Sequence, residues 1–150
     1  MSTRLRQWFP PFLTFVSAVV AAAALGSLAQ TQINLQALIG LGMTIELPLR
    51  LRSSLADLVN FAPLWALFLA VAFLLAFPMA RQCLRWFGGR RWFWFGLAGA
   101  AAVGATLFAL KLAFAITLIS AARSWLGVAL LCLSGAVGGL IQAHYGRRRN

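Results

Sequence analysis

The sequence predicts an all-α integral membrane protein, a four-transmembrane-helix bundle with an interfacial outer segment between helices 1 and 2. Three observations lead there. Hydrophobic residues make up 62% of the chain and charged residues only 10%, whereas a soluble domain carries roughly 25% charged residues. Four apolar runs, approximately 11–29, 61–80, 93–113 and 125–143, each come close to the ~20 residues that cross a hydrocarbon layer. The basic residues gather at the ends of those runs, where they act as topology determinants. All 150 residues read as a single membrane domain, with no low-complexity tract or repeat to divide it.

The first run follows Arg4, Arg6 and Trp8 and opens at Pro10 and Pro11, because proline is tolerated in a first helical turn. Residues 1–29 also fit a secretory signal peptide, with Ser27-Leu28-Ala29 as a small-x-small cleavage site. A retained helix is the preferred reading, since the later apolar segments have to be inserted in any case. Both readings place residue 30 on the far side of the membrane.

Residues 30–60 form the outer, non-spanning segment. Thr31 to Gln36 are polar, and Ile45, Leu47, Leu49 and Leu51 alternate with Glu46, Pro48, Arg50 and Arg52. That period of two suggests an extended segment lying along the membrane surface. Ser54 and Asp57 fit a capping box, which would place a helix start there.

The second span is uncharged, with Pro63 near its start and Pro78 near its end. A cytoplasmic loop over residues 81–91 follows, carrying Arg81, Arg85, Arg90 and Arg91 and turning at Gly88-Gly89. The third apolar run extends from Trp92 to Ala122 with Lys111 as its one charge. As a continuous helix it would be ~46 Å long, against a hydrocarbon core of ~30 Å. Residues 112–122 therefore either extend the helix beyond the bilayer or lie at its surface. The last span ends before His144, Tyr145 and three arginines.

Orientation follows from basic-residue counts. With both termini cytoplasmic, the inner side holds nine basic residues: Arg4, Arg6, Arg81, Arg85, Arg90, Arg91, Arg147, Arg148 and Arg149. The outer side holds four: Arg50, Arg52, Lys111 and Arg123. The expected location is the cell inner (plasma) membrane, multi-pass, with anionic head groups as partners of the net charge of +11 and no role for nucleic acid.

Candidate functional residues are few. Lys111, Asp57, Glu46, Arg50, Arg52 and Arg123 share the outer side, and could form ion pairs or hold a phosphate or carboxylate. A charge near a span is a functional candidate, although a lysine close to the interface can also snorkel to water. Small residues recur every four positions at Gly96, Ala100 and Gly104, at Gly135 and Gly139, and at Ser134 and Gly138. Such faces let helix backbones approach where apolar burial gives no preference over lipid.

Other chemistries lack their residues. His144 is the only histidine, and Cys83 and Cys132 stand far apart, so a bis-histidine haem site and a Cys/His zinc site are excluded. No phosphate-binding loop or nucleophile elbow occurs. The expectation is a non-enzymatic accessory or assembly component of a membrane complex, without cofactor or metal, working through a membrane-protein partner or a second copy. The alternative is a small transporter or channel for an anion or lipid that uses the outer basic residues.

Overall fold

The computed structural model describes residues 11–42, 44, 46–114 and 124–146. These form five helices: α1 (Pro11–Gly40), α2 (Leu47–Asn60), α3 (Ala62–Phe87), α4 (Arg91–Phe114) and α5 (Trp125–Tyr145). No strand occurs among the described residues. Four of the helices, all but α2, are long and apolar enough to cross a membrane.

Packing closes these four into a cycle, in which α5 lies against α4 and α1, and α3 against α4 and α1. The core between them combines alanines with a few large side chains. Ala18, Val19, Ala22 and Ala23 of α1 face Leu69, Phe73 and Phe77 of α3, Phe95 and Val103 of α4, and Leu131 of α5. Aromatic edges link the helices in series: Phe15 meets Phe77 edge-on at 6.1 Å, and Phe77 tilts against Phe95 at 5.8 Å. Leucine and phenylalanine also cover the outside, as Phe12, Val20, Leu67, Leu74, Phe108 and Leu133 illustrate. An apolar exterior over an alanine- and glycine-rich interior is the arrangement suited to lipid, because close backbone approach rather than water exclusion then drives association.

Three boundaries differ from expectation. The first helix does not end at residue 29 but continues to Gly40. Thr31, Gln32 and Asn34 interrupt the hydropathy without breaking the helix, because their polar groups find partners on neighbouring elements or within α1. The second apolar helix likewise runs past Pro78 to Phe87, so the connection at 81–91 shrinks to a turn over Gly88, Gly89 and Arg90. Gly88 and Gly89 have φ of 66° and 92°, a left-handed geometry that glycine adopts without steric cost. Trp94 Nε1 donates to the Gly88 carbonyl at 2.9 Å, and the Trp94 ring stacks on Phe87 at 5.9 Å. The aromatic cluster thus fastens its own turn.

The third difference is the segment expected to be extended. Residues 47–60 form α2, with Glu46 at the N-cap and Pro48 in the first turn. Proline needs no hydrogen-bond acceptor there. The leucines that alternate over 47–51 also obey a spacing of four. Leu47, Leu51, Leu55 and Val59 form one exposed row, and a helix satisfies that pattern without a partner strand. Ser54 and Asp57 consequently lie inside α2 and reach across to α1. The question of how residues 115–122 continue falls outside the described residues.

Because α1 supplies Ala18, Val19, Ala22 and Ala23 to the core, its removal would expose one side of α3 and α5. The mature protein is therefore expected to retain residues 1–29. Intact mass and N-terminal sequencing check this; a chain beginning at Gln30 would refute it.

Candidate functional site

The tightest contact in the fold is between α4 and α5. A methyl group at Gly99 would collide with the Gly135 carbonyl, one at Gly135 with the Gly99 carbonyl, and one at Gly139 with the Phe95 carbonyl. The crossing is thus backbone on backbone, with Phe95 and Val103 closing its edges. On the far side of α5, a methyl at Gly138 would come to 2.9 Å from both the Ala18 carbonyl and the Phe73 ring. Glycine on two faces of α5 therefore lets it approach α4 and α1 together.

The small-residue spacing in α5 reads this well, since Ser134, Gly135, Gly138 and Gly139 are all buried. On α4, Gly96 is buried, its Cα 3.1 Å from where a methyl at Gly139 would stand, and the closest approach is at Gly99. Gly96 and Gly104 would accept a methyl at ordinary contact, 3.4 Å from Leu140 and 3.7 Å from Cys132 Sγ, and Ala100 is half-buried. Gly99 is the critical position, and it belongs to the row Phe95, Gly99, Val103. A phenylalanine and a valine at the ends of that row hide it from a search for small residues alone.

A second constellation lies where α2 folds onto α1. Thr31 Oγ1 donates to Asp57 Oδ2 at 2.7 Å and lies 3.0 Å from the Ser27 carbonyl. Its one proton serves the carboxylate best, since charge-assisted hydrogen bonds are the stronger ones. Gln32 Nε2 donates to Ser54 Oγ at 3.3 Å. One turn deeper, Ser27 is fully buried, and Trp65 of α3 is 1% exposed with its ring stacked on Phe61. The indole nitrogen lies directly over Gly26, where a methyl would come within 2.7 Å of it. Ser134 of α5 borders the same spot, its hydroxyl donating to the Leu131 carbonyl at 2.6 Å. Polar groups from α1, α2, α3 and α5 therefore meet at the end of the fold that carries α2.

Of the outer-side charges expected to converge, Asp57 and Arg50 are half-buried, and the hydrogen-bond partner of Asp57 is Thr31 rather than Lys111. Lys111 is exposed on the last turn of α4, and Glu46 is exposed at the N-cap of α2. Arg50 is half-buried and Arg52 exposed on α2. Arg123 lies outside the described residues. Thr31, Ser27 and Trp65 were not singled out by the sequence. The signal was the four-residue spacing of Ser27 and Thr31, which becomes legible once α1 is known to continue beyond residue 29.

The third feature is a furrow of about 870 Å³ between α3 and α4, running from Phe68 to Cys83 on one helix and from Trp94 to Ala113 on the other. Its walls are almost wholly apolar. No group of three or more His, Cys, Asp and Glu side chains suited to a metal ion occurs among the described residues. No protein-family model, curated protein or solved structure matches this chain.

Two sets of variants test these contacts by thermal unfolding in detergent. Gly139→Ala is expected to destabilise by about 1–3 kcal/mol through overpacking. Gly104→Ala should leave stability unchanged or raise it by ~0.5–1 kcal/mol, the usual effect of replacing a mid-helix glycine; equal loss at both sites would contradict the α4/α5 register. For the polar contact, Thr31→Val and Asp57→Ala should each cost on the order of 1–3 kcal/mol. The double variant should cost less than their sum, because both remove the same bond.

Proposed function

We propose that the chain spans a membrane four times, with α1, α3, α4 and α5 as the spans, α2 at the outer surface and both termini in the cytoplasm of the cell inner (plasma) membrane. The arginines support that orientation. Arg81, Arg85, Arg90 and Arg91 border the α3–α4 turn, whereas Arg50, Arg52 and Lys111 belong to the opposite end. Positive charge favours the cytoplasmic side.

Within that frame the protein acts as a non-enzymatic accessory or assembly component, and α2 is its docking element. The observation that carries this reading is the orientation of α2. None of its residues is buried, its side-chain hydrogen bonds to α1 are made by Ser54 and Asp57, and Leu47, Leu51, Leu55 and Val59 are exposed. A helix held by its polar face with an apolar row outward is poised against another apolar surface. Small-residue packing on both faces of α5 supports the same reading, because it commits the interior to scaffolding.

A photo-crosslinking residue at position 55, activated in native membranes, is expected to give one protein adduct of discrete mass. The same residue at position 74, on the exposed face of α3, should react with lipid alone. Lipid adducts at both positions would overturn the docking role of α2.

A further inference from the structure

The furrow between α3 and α4 is long, open along one side and lined mainly by small side chains on α4. Its floor on α4 is set by Ala98, Ala101, Ala105 and Ala109, while Leu75 and Met79 of α3 stand among its walls. Elsewhere the outward positions carry long side chains such as Leu67, Leu74 and Leu133. From Phe68 to Cys83 the furrow spans about 22 Å at the helical rise, more than the ~15 Å of one leaflet of a ~30 Å core. An acyl chain lying in it would touch protein on several sides, and dispersion contacts accumulate with every added neighbour atom. Arginines mark one end: Arg85 follows Cys83 by two residues with Arg81 one turn before it. Arg90, its guanidinium over the Trp92 ring at 4.8 Å, precedes Trp94 by four, whereas Arg91 is turned onto Phe95 and Gly146. No acidic residue lies on α3, on α4 or in the turn between them.

We propose that this furrow is a binding site for one anionic phospholipid, its acyl chain along the alanines and its phosphate at the arginines of the α3–α4 turn. Charge complementarity selects this occupant. Guanidinium groups pair with phosphate oxygens in bidentate geometry, and basic clusters at a membrane surface recruit anionic lipids. A second copy of the chain fits poorly. A two-fold contact sets the same surface against itself, so it would lay furrow on furrow and bring the two arginine turns side by side. The site rests on the membrane-spanning part of the functional reading and is independent of any partner at α2.

The test is native mass spectrometry of the purified full chain incubated with phosphatidylglycerol or phosphatidylcholine. Wild type is expected to retain one phosphatidylglycerol and no phosphatidylcholine. Filling the furrow with Ala98→Leu and Ala105→Leu, or removing charge with Arg85→Gln and Arg90→Gln, should cut the retained fraction at least tenfold. Undiminished retention in the filled variant, or equal retention of the two lipids, overturns the proposal. Should the filled variant fail to fold, Cys83 replaces it as the reporter, because it lines the furrow. In a Cys132→Ser background, phosphatidylglycerol should slow maleimide labelling of Cys83 several-fold relative to phosphatidylcholine. Unaltered labelling, or a Cys83–Cys83 disulfide between two copies, decides against the lipid. Photo-crosslinking at position 55 is blind to all these changes, so failure of either idea is distinguishable from failure of the other.

Discussion

The contact on which the rest of the structure depends is the backbone approach of α4 to α5. Gly99, Gly135 and Gly139 let carbonyls of one helix lie where side chains of the other would stand. In an apolar solvent, burying leucine on leucine gives no preference for protein over lipid, so association must come from surfaces that fit more closely than lipid can. With α5 drawn that near to α4, its opposite face, through Gly138, reaches Ala18 and Ala22 of α1. Phe73, Phe77 and Phe95 then fill the remaining space between α1, α3 and α4. Bulk sits where the helices diverge and glycine where they cross.

A second constraint sets the position of α2. In a water-soluble protein, a surface helix turns its apolar face inward and its polar face outward. Here Ser54 and Asp57 face α1, while Leu47, Leu51, Leu55 and Val59 face out. The exposed leucine row shares the outside of α2 with Arg52 and Asn60, so this helix presents a mixed surface in which the apolar residues are aligned. The contact with α2 explains why Thr31 can be only 2% exposed. Its hydroxyl has a carboxylate to bond, and a buried polar group with a partner is not costly.

Much of this was legible in the residues themselves, and the reasons for the misses are specific. Hydropathy located all four long helices, because each run exceeds what a water-facing helix can carry. It failed at their ends: the glutamines after Ala29 and the arginines after Ala80 lower hydropathy while favouring helix, and Thr31 is held by the bonds its side chain makes. Pro78 did not stop α3, since proline costs one backbone hydrogen bond and neighbouring helices compensate for that loss. The extended reading failed over 47–52 because four cycles of alternation are too few to separate a period of two from the spacing of four that Leu47 and Leu51 also keep. The α5 packing face was readable because all of it is small. On α4 Gly96 was readable, but Gly99 was not, because Phe95 and Val103 share its row. The meeting of Asp57 with Thr31 required knowing that α2 folds back on α1, which no local pattern encodes.

The Gly88–Gly89 turn has a consequence for the order in which the chain assembles. Its fastenings, Phe87 on Trp94 and Trp94 on the Gly88 carbonyl, span no more than seven residues. Their loop-closure entropy is small, so α3 and α4 can form a hairpin as soon as both have been synthesised. The contact of α1 with α5 joins Ala18 to Gly138 across most of the chain, and contacts of such separation form last. A hairpin formed first would offer Gly99 as the seat of α5, and α5 would in turn bring Gly138 to Ala18. Until α5 has been synthesised, Ala18 and Ala22 lack the neighbour that Gly138 brings against them.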